Sequence, residues 1–131
     1  MKGYPVIKKT SGKASSSYKN FSNKEAEKEI EFFADGKLNI AHNAVDRHAK
    51  GNGKLALIYN SPNFEKETYT YDDLKVLTNK FANVLTDLKV KKGDRVFIFL
   101  PTIPERYIAF MGILKMGAIA GTLFSAFQEM A

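Results

Sequence analysis

The chain has 131 residues, 44% of them apolar, and no cysteine. That length holds one domain with a real core, and the lack of thiols excludes disulfides, thiol catalysis and cysteine-ligated metals. The net charge of +6 sits mostly in residues 1–20, which hold five of the twenty basic residues (Lys2, Lys8, Lys9, Lys13, Lys19) and no acid, leaving fifteen basic against fourteen acidic residues elsewhere. A protein that reads phosphates clusters Lys and Arg on a folded element, so no nucleic acid is expected as a partner. No apolar run is long enough to span a bilayer, and the start lacks the apolar region of a secretory signal. The expectation is a cytoplasmic protein with no membrane partner.

Residues 1–20, rich in Lys, Ser and Gly, read as a basic tail, extended or disordered. Thr10-Ser11-Gly12-Lys13 imitates a phosphate loop, but no strand precedes it, no glycine lies four residues earlier and no helix follows. The formal sequon Asn20-Phe21-Ser22 means nothing without export.

Residues 21–131 read as one α/β segment. Ser22 and Glu25 form a capping box that predicts a helix to about Phe33, with Ala26, Ile30 and Phe33 on its apolar side. Asn39 predicts the cap of a second helix, residues 40–49, ended by Gly51-Asn52-Gly53. Within it, Asp46-Arg47-His48 suggests acid–base chemistry. Adjacent helical residues do not face each other, however, and no serine or cysteine nucleophile accompanies them. His42 and His48 are six apart, not the four that put two zinc ligands on one helical face. The expectation is that His48 packs or caps near its helix end.

Residues 55–59 and 68–71 predict two strands paired as a hairpin around Asn60-Ser61-Pro62-Asn63. Thr70 caps a long helix to about Leu88. Its stripe of Leu74, Leu77, Phe81, Val84, Leu85 and Leu88 is worth on the order of 10 kcal/mol if covered, and the expected cover is the sheet. Residues 95–100 (RVFIFL) form an almost unbroken apolar run, the pattern of a strand buried on both faces. Pro101 ends it, and Pro104 opens a helix with Glu105 in its first turn. That helix continues through Tyr107, Ile108, Met111, Leu114 and Lys115 to Gly117, which can take the left-handed cap position. Residues 118–124 are a second buried strand. Strand, helix and strand at this spacing predict a βαβ unit with two parallel strands.

Four segments in the right order carry a resemblance. They are Gly36-Lys37-Leu38-Asn39 with Asp46-Arg47-His48; Tyr69-Thr70-Tyr71-Asp72-Asp73-Leu74; Lys92-Gly93-Asp94-Arg95-Val96 with Leu100-Pro101 and Pro104-Glu105; and Leu114-Lys115-Met116-Gly117-Ala118 through Leu123-Phe124-Ser125-Ala126-Phe127. Together they resemble the N-terminal region of the adenylate-forming acyl-CoA ligases, and the last points to the acetyl-CoA synthetases among them. Family members often carry Trp where this chain has Asn23.

The resemblance implies an α/β fold: a partial parallel or mixed sheet with flanking helices, the N-terminal part of an adenylate-forming enzyme's large domain. The parent would use ATP, CoA and Mg to activate acetate or another short carboxylic acid. It also implies that Phe124, Ser125 and Ala126 lie near the CoA nucleotide, where small residues allow close approach. The family's phosphate-gripping loop, acyl pocket, ribose aspartate and mobile lysine match nothing in these residues. No catalytic residue, metal ligand or bound cofactor is therefore expected, and the chain alone should be inactive. The alternative is a non-enzymatic module that dimerises through exposed strand edges.

Overall fold

The computed structural model of the chain describes residues 22–125. The tail, the phosphate-loop imitation, most of the sequon and Ala126 lie outside the described residues. The chain divides between Glu31 and Phe32. In the first unit, helix α1 (Asn23–Lys28) follows Ser22. It stops a turn short of the predicted end, and Ile30 is left exposed.

The second unit holds everything else. Asn39 caps α2 (Ile40–Ala44), its side chain accepting from the His42 N–H at 3.1 Å. The single helix predicted for residues 40–49 is broken at Val45 (φ −126°, ψ −63°), and Asp46–His48 continue as a 3₁₀ turn. The hairpin is present as β1 (Leu55–Asn60) and β2 (Lys66–Thr70), antiparallel with Leu57 opposite Tyr69 and Tyr59 opposite Glu67. On β2 the Tyr69 hydroxyl donates to Glu67 at 2.7 Å, and that carboxylate pushes the phenol up to about 12.

Thr70 begins α3 (Tyr71–Asp87) with a reciprocal capping box: its Oγ1 accepts from the Asp73 N–H at 3.1 Å, and the Asp73 carboxylate accepts from the Thr70 N–H at 2.8 Å. The helix ends with Lys89 in the left-handed region (φ +66°), the Lys89 N–H bonded to Thr86 and the Val90 N–H to Leu85. This is the Schellman pattern, here held by lysine rather than glycine.

The predicted βαβ unit is β3 (Arg95–Ile98), α4 (Pro104–Lys115) and β4 (Ile119–Thr122). The strands are parallel, with Arg95 opposite Ile119, Val96 opposite Ala120 and Ile98 opposite Thr122. Gly117 (φ +75°) closes α4 in a second Schellman pattern: its N–H donates to Leu114 at 3.0 Å and the Ala118 N–H to Ile113 at 3.2 Å.

Packing corrects three expectations. The stripe on α3 is covered chiefly by α4 rather than by a sheet. It centres on Leu74, Thr78, Phe81 and Leu85, while Val84 and Leu88 stay exposed. The buried face of α4 is Ala109, Gly112 and Ile113, not the line through Tyr107 and Met111. Gly112 is there because the two helices nearly touch: a Cβ on it would lie 2.8 Å from the Phe81 ring and 3.1 Å from the Thr78 carbonyl oxygen. Finally, β3 is buried on one face only. Val96, Ile98 and Leu100 join the core of Leu85, Ala109, Ile113 and Ala118. On the other face Phe97 is 64% exposed and Phe99, Ile119 and Leu123 are exposed beside it. Helices cover one side of this sheet, whereas a parallel sheet ordinarily has both faces covered.

Candidate functional site

Two places hold residues singled out by the sequence. The first is the C-terminal edge of the parallel strands, where open α/β sheets place ligands. β4 ends at Thr122, and the Leu123 N–H extends the pairing by donating to Ile98 at 2.9 Å. Phe124 follows, 63% exposed, and then Ser125, half-buried. The βαβ connectivity puts the start of α4 at this same edge. Its N-cap residue, Ile103, makes no side-chain capping bond. Of the three residues expected near CoA, Phe124 and Ser125 are thus accessible at a strand end, and Ala126 lies outside the described residues.

The second place is at the opposite end of α4. Lys115 is 10% exposed, and its Nζ reaches Asp46 at 2.7 Å, Thr78 Oγ1 at 2.8 Å and Asn79 Oδ1 at 2.6 Å. The hydroxyl and the amide accept hydrogen bonds from the ammonium, whereas the Asp46 contact is an ion pair without hydrogen-bond geometry. Asn39 serves two helix ends at once. Its Oδ1 caps α2, and its Nδ2 donates to the last carbonyls of α4, Leu114 at 3.2 Å and Lys115 at 3.0 Å. Asp46, which pairs with Lys115, opens the 3₁₀ turn. His48 rests on Tyr71, ring centroids 5.1 Å apart, as expected of a packing residue. The Gly51 N–H donates to Asp72 at 2.9 Å and the Tyr71 N–H to Lys54 at 3.0 Å, which fasten the segment to the start of α3.

Chemically this second cluster is closed. A lysine committed to a carboxylate, a hydroxyl and an amide is not available as a base or a phosphate anchor. Sequence reading missed it, although a signal existed: a lysine in the periodic stripe of α4 implies a buried ammonium, and a buried ammonium needs acceptors. Among the described residues no group of three or more His, Asp or Glu could hold a metal ion. Among the described residues no helix is long and apolar enough to cross a membrane.

The model of the AMP-binding enzyme family matches residues 45–131. The chain belongs to that family. Acetyl-coenzyme A synthetase of Bacillus subtilis is 46% identical over 115 residues, covering 86% of this chain and 20% of that protein. The Methanothrix thermoacetophila acetyl-coenzyme A synthetase is 48% identical over 100 residues, 74% of this chain and 15% of that protein. A 3-hydroxypropionyl-coenzyme A synthetase of Sulfurisphaera tokodaii is 44% identical over 102 residues, 76% and 16% respectively. Among solved structures, a Brucella canis acyl-CoA synthetase superposes with a TM-score of 0.79 at 27% identity, covering 87% of this chain and 21% of that one. The chain spans between 15% and 21% of the length of these relatives. The α/β fold with flanking helices is therefore that of the matching part of an acyl-CoA synthetase.

Proposed function

We propose that this chain is the N-terminal part of an acetyl-CoA synthetase-like ligase, which joins acetate to CoA with ATP cleaved to AMP and pyrophosphate. The observation that carries this reading is the 46% identity to an acetyl-coenzyme A synthetase along most of the chain. In the whole ligase the chain supplies scaffold, with Phe124, Ser125 and Ala126 contacting CoA. ATP, Mg and acetate are held by parts that these residues do not include. The 131 residues by themselves are inactive, and the ligase works in the cytoplasm. When bound, ATP supplies the leaving group that activates the carboxylate, and CoA supplies the thiol that takes the acyl group. This chain's residues set the strand edge against which CoA lies.

A chimera tests the reading. This chain replaces the matching fifth of the Bacillus subtilis enzyme, and acetate-dependent ATP–pyrophosphate exchange is measured. Exchange is expected from the chimera and none from the 131 residues alone. A folded chimera without exchange, or exchange by the chain alone, would overturn it.

A second reading, self-association without catalysis, is favoured by the exposed apolar face and open edges of the β3–β4 sheet. Unpaired strand edges recruit further strands, so a homodimer would form there. Light scattering across a wide concentration range decides it: a clean monomer throughout would remove this reading.

A further inference from the structure

We propose that Asn52 is a self-modification site, where the chain converts its own asparagine into an isoaspartyl link that unfastens the loop before β1 from the start of α3. Asn52 is the only asparagine followed by glycine. Both residues are exposed and lie outside any helix or strand. Gly53 sits at φ +65°, with open space where a Cβ would stand. Nothing crowds its nitrogen, and among the described residues no hydrogen bond engages that N–H. The Lys54 N–H donates to Asn52 Oδ1 at 3.1 Å. That bond polarises the side-chain carbonyl and sits on the oxygen where charge collects when the carbonyl carbon is attacked. Other asparagines lack this setting. Asn60 is followed by Ser61, whose N–H is committed to Glu65 at 2.8 Å. Asn79 and Asn83 lie inside α3, where the following N–H groups belong to the helix ladder.

The step balances with water as the only co-reactant. The Gly53 nitrogen loses its proton to hydroxide and attacks Asn52 Cγ, so that a C–N bond forms and a cyclic imide closes. The bond from Cγ to the side-chain nitrogen breaks, and that nitrogen leaves as ammonia with a proton from water. Water then opens the imide at one of its two carbonyls. Opening at Cγ gives aspartate. Opening at the main-chain carbonyl gives isoaspartate, in which the chain runs through Cβ and Cγ and gains one backbone atom. The fold makes that atom matter. The Gly51 N–H donates to Asp72 at 2.9 Å, and the Lys54 carbonyl accepts from the Tyr71 N–H at 3.0 Å. Residues 51–54 are thus pinned at both ends to neighbouring residues of one helix turn, and an extra backbone atom between the pins releases one of them. The aspartate product adds charge without length and keeps an acceptor for the Lys54 N–H, so it leaves both pins in place.

Incubation of the full chain in mildly alkaline, oxygen-labelled water tests this, followed by peptide mapping. Asn52 should be converted, with labelled oxygen gained at that residue, and faster as the pH rises, because the attacking nitrogen must first lose its proton. Asn60, Asn79 and Asn83 should be converted at least about tenfold more slowly, since their neighbouring nitrogens are committed. Gly53→Ala has room in the fold, and its methyl beside the attacking nitrogen should slow conversion at Asn52 by about tenfold. The isoaspartyl form, separated by chromatography, is then compared with fresh protein by native-state hydrogen exchange. Its Gly51 or Tyr71 amide should exchange about tenfold faster through loss of a hydrogen bond. The core amides of Ile119 and Leu123, bonded to Asp94 and Ile98, should change by less than about threefold. Asn52→Asp should leave all four amides within about threefold of their original rates. No conversion at Asn52, equal conversion at Asn60, an unslowed Gly53→Ala variant, unchanged Gly51 and Tyr71 amides in the isoaspartyl form, or an Asn52→Asp variant that exchanges like that form would each overturn the proposal.

Discussion

Helix α4 has two unlike ends. Its C-terminal end is closed: Gly117 returns the chain in a Schellman turn, Asn39 donates to the last carbonyls, and Lys115 donates to Thr78 and Asn79 and pairs with Asp46. Its N-terminal end is open: Ile103 caps it with no side chain, and the strand ends beside it leave Phe99, Leu123 and Phe124 exposed. The Asp-Arg-His run, which suggested acid–base chemistry, is engaged in structure, with Asp46 on Lys115 and His48 on Tyr71. Phe124, after a short strand, is exposed. Charge in a motif is thus a poor guide to function until its partners are counted.

Variants along α4 break this contrast in graded steps. Ile113→Ala, at the fully buried centre of the core, should lower unfolding free energy by about 2–5 kcal/mol in a urea titration. Gly117→Ala puts a Cβ on a backbone at φ +75°, with the Lys92 chain 3.1 Å away, and should cost roughly 1–2 kcal/mol by the same measurement. Thr70→Ala sharpens the comparison of helix starts, because α3 has the reciprocal box that α4 lacks; it should cost about 1 kcal/mol near neutral pH. Phe124→Ala, at the open end, should change stability by no more than about 0.5 kcal/mol.

The capping box also carries a pH signature. Hydrogen bonds from the Thr70 hydroxyl and backbone N–H hold the Asp73 carboxyl below its ordinary value of 3.8. A lowered folded pKa means the stabilisation is present above 3.8 and disappears as the pH falls through the folded value. Thr70→Ala should therefore flatten the acid limb of stability below about pH 4 and leave the neutral-to-basic limb unchanged.

Much of this was legible in the chain. The βαβ unit followed from two apolar runs separated by Pro104 and Gly117, because proline and glycine mark a helix start and stop by backbone chemistry alone. The hairpin and the Thr70 cap followed from turn and cap residues in the same way. What local pattern could not supply was which face each element buries. The run RVFIFL is apolar on both sides, yet only the side under α4 is covered, and periodicity does not record where a neighbour is missing. The break at Val45 was equally hidden. The turn that follows it carries Asp46, which pairs with Lys115 69 positions away in sequence, and no short window along the chain contains both. The proposed strand-end contact rests on resemblance, since Phe124 and Ser125 carry no charge, metal-binding group or motif of their own.

The most direct test of an open, ligand-facing strand end uses the chimeric ligase with Ser125→Leu, whose two half-reactions can be followed separately. Acetate-dependent ATP–pyrophosphate exchange should be unchanged, while CoA-dependent thioester formation falls by about tenfold or more as bulk intrudes where small residues allow close approach. Thioester formation at the unsubstituted rate, or an equal fall in both half-reactions, would contradict a CoA contact at this edge.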